Sequence, residues 1–100
     1  MEIQGLSHIT FIVKDLYRTS RLLCDGLGAK EVYDSKSKAF SVSHEKFFLL
    51  GNVWLVAMEG MPTTRSYQHV AFKVEKLMLP HFKKRLVALG VEIKVPRPRV

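Results

Sequence analysis

His8 and His69 stand at matching places in two segments that read as copies of one another. The run from Leu6 to Leu16 aligns without gaps on the run from Tyr67 to Leu77, and Phe11/Phe72, Val13/Val74 and Leu16/Leu77 repeat at the same offset of 61 residues. Imidazole is the commonest metal ligand, and divalent transition-metal sites take three or four donors. A histidine duplicated with its element is what a site built between two units needs. It is also what simple inheritance of a hydrogen-bonded histidine leaves, and two imidazoles are too few for a donor set. Glu59, closing a strand-like run, is a third donor to weigh against the ordinary solvated strand-end carboxylate. Glu45 sits in Ser43-His44-Glu45-Lys46-Phe47-Phe48-Leu49. A carboxylate held among apolar residues can act as a general base on water; a turn glutamate beside Lys46 is the competing reading. His44 and His81 fall in a turn and on a helix, without evident partners, and read as surface residues.

These groups need a scaffold. Leu6 to Val13 is rich in β-branched and aromatic residues, and alternation puts His8 on one strand face with Leu6, Thr10 and Ile12. Asp15 is placed to cap a helix carrying Leu16, Thr19, Leu22, Leu23 and Leu27, which Gly28 ends. Strand signals resume at Lys30 to Tyr33, a turn lies over residues 34–37, and the stretches Ala39 to Ser43, Lys46 to Leu50 and Val53 to Met58 supply the further strand of the unit. Residues 1–60 thus form a β-α-β-β-β unit. After a loop from Gly60 to Ser66, the repeated strand runs from Tyr67 to Val74, with Tyr67, His69, Ala71 and Lys73 on one face. A helix starts near Pro80, carries Phe82, Leu86 and Leu89, and ends at Gly90; one more strand starts at Val91 and runs to Val95. From Gly28 to Glu59 the first copy runs 31 residues, whereas 10 residues follow Gly90. Residues 67–100 therefore read as an incomplete second unit with an open sheet edge, expected either because the chain or its gene is cut short or because another chain supplies the missing strands.

With 100 residues, 47% of them hydrophobic, the chain is sized for one α+β domain. No apolar run reaches membrane-spanning length, and no signal-peptide layout opens the chain, so no membrane partner is expected. The single Cys24 excludes an internal disulfide, fits a cytoplasmic setting, and reads as a small buried hydrophobe. A net charge of +7 favours anionic partners, either nucleic acid or a small phosphate- or phosphonate-like ligand. No zinc-finger spacing, helix-turn-helix pattern or aromatic RNA-binding signature is present, which argues against nucleic acid. Lys83-Lys84-Arg85 reads as the solvated face of a helix.

At these residues the chain resembles the vicinal-oxygen-chelate superfamily, whose members pair β-α-β-β-β units around a metal. Within it, the sequence is most similar to the fosfomycin-resistance proteins of the hydrolytic FosX type. Gly5 to Leu16, Ser43 to Leu49, Trp54 with Met58-Glu59-Gly60, Arg65 to Phe72, and Pro96 to Val100 carry the resemblance in order. It implies a Mn²⁺-dependent enzyme that opens the epoxide of the phosphonate antibiotic fosfomycin with water. His8 and His69 would be metal ligands and Glu45 the base. Thr10 and Tyr67 would contact the substrate, with Arg97 and Arg99 as phosphonate contacts. The family also implies a homodimer that exchanges units, and a Gly-rich segment and glutamate-bearing strand beyond a stretch like residues 97–100. The expectation is accordingly a second unit cut short, with weak metal binding and slow turnover. Two other functions fit the same residues. One is a thiol transferase acting on the same epoxide, which needs no base at Glu45; the other is a metal-free protein that sequesters the drug.

Overall fold

The computed structural model describes residues 2–36, 43–61 and 69–94. Exposed and half-buried residues alternate along the whole of β1 (His8–Val13), with His8, Thr10 and Ile12 exposed. The chain leaves this strand through Asp15, whose extended backbone and side chain start α1 (Leu16–Arg21): Oδ1 accepts from the Arg18 N–H at 3.0 Å. That bond satisfies one of the free N–H groups of the first turn. The helix continues as a π-helical turn over Leu22–Gly26 and stops at Gly28, whose φ of +83° suits a residue without a Cβ.

Three strands complete the first unit: β2 (Lys30–Asp34), β3 (Glu45–Leu50) and β4 (Val53–Glu59). The sheet order is β1-β4-β3-β2, with β1 parallel to β4 and the other pairs antiparallel. α1 supplies the crossover side of the sheet. Leu16 and Leu23 pack with Ala29, Phe48, Leu55 and Ala57 as the buried cluster, and Ile9, Phe11 and Val13 lie against it. Among the described residues, Phe48 and Leu55 are the largest fully buried side chains. One face of the sheet is thereby covered, and function is left to the other.

The β-α-β-β-β reading holds where it falls on described residues, except that Glu45 opens a strand rather than lying in a turn. The segment from Ala39 to residue 42 lies outside the described residues. The second unit departs further. A 3-10 turn over Lys76–Met78 leads into α2 (Leu79–Ala88), with Pro80 in its first turn and Gly90 at φ +83° after its end, as expected. Residues 69–75 and 91–94, however, form no strand. Strand propensity yields a strand only where a neighbour supplies the ladder, and the described residues offer these segments none. What joins the units is packing: a Cβ on Gly26 would come within 2.9 Å of Leu86 and 3.2 Å of Leu89, so the glycine lets α2 sit close on the π-helical turn.

Candidate functional site

In a sheet, residues paired across strands share a face, so the register spells out the uncovered surface in rungs. His8 pairs with Trp54, which pairs with Leu49; Thr10 pairs with Val56, then Phe47 and Tyr33; Ile12 pairs with Met58, then Glu45. His8, Thr10 and Glu45 therefore lie on one face, the one opposite α1. Ile12 is 50% exposed and Trp54 37%, while Val56 between them is buried, so this face is open at its ends rather than at its centre.

His8 opens the first rung. Its Nδ1 lies 3.1 Å from the Ser7 hydroxyl, which leaves Nε2 as the ring nitrogen open to a ligand. A metal-binding histidine is commonly oriented in this way through its other nitrogen. Ser7, His8, Phe47 and Trp54 line a cavity of about 300 Å³, walled by two aromatic rings and one imidazole. Trp54 and Phe47 are site residues that the spacing alone did not single out; only pairing of β1 with β4 and β4 with β3 brings them beside His8.

Glu45 occupies the far end of the same face. Four residues along β1 and two strands across separate its backbone from that of His8, roughly 16 Å on a flat sheet. The backbone of Glu45 is bonded on two sides. Its N–H donates to the Ser35 hydroxyl at 2.9 Å, and its carbonyl accepts from the Ser35 N–H at 3.0 Å.

His69 lies in the exposed segment after residue 68 and belongs to no strand, so the matched pair of strands is not formed. It is not among the residues lining the cavity at His8. Among the described residues, no group of three or more His, Cys, Asp or Glu side chains is placed to hold a metal ion. Glu59 is excluded as a companion of His8: it pairs with Val13, at the opposite end of β1 and on the helix side of the sheet. Tyr67, Arg97 and Arg99 lie outside the described residues. His81 is exposed on α2, as expected, but His44 is not a lone surface residue. Its Nε2 lies 2.6 Å from Asp34 Oδ1; a carboxylate only accepts, so Nε2 carries the proton. The bond to His44 holds the Asp34 carboxyl below its usual range, helped by the Lys36 N–H, against a smaller opposing effect of burial. The spacing of Asp34 and His44 in sequence conceals this pair, because only the antiparallel pairing of β2 with β3 closes it.

No family profile matches the chain. Individual relatives do. A fosfomycin resistance protein FosX of Mesorhizobium japonicum is 46% identical over 99 residues, covering 98% of this chain and 71% of its own length. The chain belongs to the FosX family of fosfomycin resistance proteins. A metallothiol transferase FosB of Bacillus licheniformis is more distant, 31% identical over 105 residues that cover 98% of this chain and 62% of that protein. The crystal structure of a FosX mutant from Listeria monocytogenes, complexed with Mn(II) and 1S,2S-dihydroxypropylphosphonic acid, superposes with a TM-score of 0.84 at 47% identity, covering 98% of this chain and 76% of that one. The FosX fold is thus the vicinal-oxygen-chelate fold expected above, a mixed α and β architecture whose sheet carries an open face. No helix among the described residues is long and apolar enough to cross a membrane.

Proposed function

We propose that this protein is a divalent-metal-dependent hydrolase that adds water to the epoxide of fosfomycin, with Mn²⁺ as the metal. The observation that carries the reading is the shared sheet face of His8, Thr10 and Glu45, left uncovered opposite α1. His8 fits a metal because it is exposed and oriented through Nδ1 by Ser7. His69 is the second imidazole, and in a dimer that exchanges units it comes from His69 of the partner subunit. When bound, the ion supplies Lewis-acid polarisation of the epoxide oxygen. Glu45 takes the proton of the attacking water at its carboxylate, so that the new C–O bond forms as the ring C–O bond breaks. The released oxygen takes up a proton from solvent, Glu45 returns the one it accepted to solvent, and a vicinal diol results. The dihydroxypropylphosphonate bound to the Listeria FosX mutant belongs to that class of product.

Thr10 stands two residues from His8 on the same face and offers a hydroxyl to the substrate; Tyr67 and Arg99 are its proposed further contacts, the arginine for the phosphonate. A net charge of +7 suits that dianion. Residues 1–60 and 67–100 are the two units of the domain, and a lone cysteine fits a cytoplasmic location. Phosphorus NMR of fosfomycin incubated with the protein and Mn²⁺, with and without a thiol, tests the reaction. The diol is expected whether or not thiol is present. A thiol adduct as sole product, or drug that is bound stoichiometrically and returned intact, refutes hydrolysis.

A further inference from the structure

Glu31 and Tyr33 stand two residues apart in β2, a spacing that puts side chains on one face of a regular strand. Here they part. Glu31 pairs with Phe48, which is fully buried on the α1 side, and its carboxylate accepts from the Ser20 hydroxyl of α1 at 2.9 Å. Tyr33 pairs with Phe47 instead, so Val32 is an extra residue and Tyr33 is turned to the opposite face. Bulges re-aim side chains in this way and are common beside active sites. The phenol therefore joins His8, Thr10 and Glu45 on the open face, where Tyr33 is 43% exposed.

The register also sets its neighbours. Tyr33 lies opposite Phe47, and Glu45 is two residues from Phe47 along β3, which makes Tyr33 and Glu45 diagonal neighbours. Such pairs stand roughly 7–8 Å apart at their bases, within reach of aromatic and long side chains. The Tyr33 ring meets Phe47 edge to face, with centroids 5.4 Å apart and planes at 82°, a contact that restrains the phenol. No hydrogen bond joins the Tyr33 hydroxyl directly to the Glu45 carboxylate, and two polar groups at this spacing are bridged by a single water. On its other flank Glu45 meets Met58 and then Ile12, both apolar, while Val56 is buried at the centre of the face. Ser35 has its hydroxyl engaged by the Glu45 N–H at 2.9 Å, at the level of the backbone. A held water needs two or more polar partners, and Tyr33 is the second one that these strands supply beside Glu45.

We propose that Tyr33 is a further catalytic contact: its hydroxyl oxygen accepts a hydrogen bond from one O–H of the attacking water while Glu45 removes the other proton, which aims the water's lone pair at the epoxide carbon. The contact rests on the reading of Glu45 as the base. Tyr33→Phe keeps the ring on Phe47 and removes only the hydroxyl. The test compares fosfomycin turnover with Mn²⁺ in wild type, Tyr33→Phe, Glu45→Gln and the double variant. In Tyr33→Phe, kcat is expected to fall roughly ten-fold with KM unchanged. The double variant is expected to be no slower than Glu45→Gln alone, because both groups hold the same water. A high-resolution crystal structure of the protein is expected to show one ordered water bonded to both groups. A full rate in Tyr33→Phe when Glu45→Gln is slow overturns the contact and leaves the base in place; so does independent, multiplicative slowing in the double variant. Crystals in which Tyr33 and Glu45 share no water overturn it as well, whatever the turnover. A fully active Glu45→Gln overturns the reading of Glu45 as base, and the contact falls with it.

Discussion

Replacing Ser7 with alanine isolates how His8 is prepared for a metal. The Ser7 hydroxyl lies 3.1 Å from His8 Nδ1, and in the tautomer where the hydroxyl accepts the Nδ1 proton the Nε2 lone pair is left for an ion. Both groups are exposed, so the bond has the modest net worth of an ordinary hydrogen bond, about 0.5–1.5 kcal/mol. If that energy is spent on orienting the ligand, its loss raises the dissociation constant roughly two- to twelve-fold, at about 1.4 kcal/mol per decade. The protein carries its own reporter. Trp54 is the only tryptophan, it pairs with His8 in the register, and both line the same cavity. Adjacent strands lie about 4.8 Å apart, so an ion held by His8 lies beside the indole and alters its emission. Titration of wild type, Ser7→Ala and His8→Ala with Mn²⁺, read by Trp54 fluorescence, gives the three constants directly. Wild-type affinity in Ser7→Ala refutes the orienting role, and wild-type affinity in His8→Ala refutes a metal at this residue altogether.

Glu45→Gln is expected to slow diol formation by about 10²–10⁴-fold, the usual range for a general base, with Mn²⁺ affinity unchanged; a normal rate by phosphorus NMR removes Glu45 from the chemistry. Leu55→Ala, at a side chain 1% exposed beneath α1, should cost about 2–5 kcal/mol in urea unfolding, and a loss below about 1 kcal/mol would show that the site collapses or that the core lies elsewhere. Gly28→Ala meets no neighbour within 4 Å but must adopt φ +83°, so about 1–2 kcal/mol of backbone strain is expected with no change in the near-UV spectrum of the aromatic core. Asp34 has its pKa lowered in the folded state, so its stabilising contribution is complete above the ordinary value of 3.8 and is lost as pH falls through the lowered one. Wild type should therefore lose stability toward acid more steeply than Asp34→Asn; parallel urea midpoints below pH 3.8 would contradict the pairing with His44.

The sequence by itself determined the local elements and the list of reactive groups. Asp15 as cap, Gly28 and Gly90 as helix stops, and Pro80 in a first turn act through their own backbone preferences, which need no distant partner. The alternation in β1 likewise told which face His8 and Thr10 share, because the two-residue period belongs to any strand. Pairing is a different matter, since it joins residues far apart along the chain and depends on every segment that competes for the same edge. Only the tertiary structure placed Trp54 and Phe47 beside His8, put Glu59 on the wrong face for it, and joined His44 to Asp34 across a bulged ladder. The same dependence explains residues 69–75: a repeat of β1 in composition, but without a neighbouring strand among the described residues, it does not become one. Local preference belongs to a residue and its immediate neighbours; a site belongs to the contacts that bring distant residues onto one face.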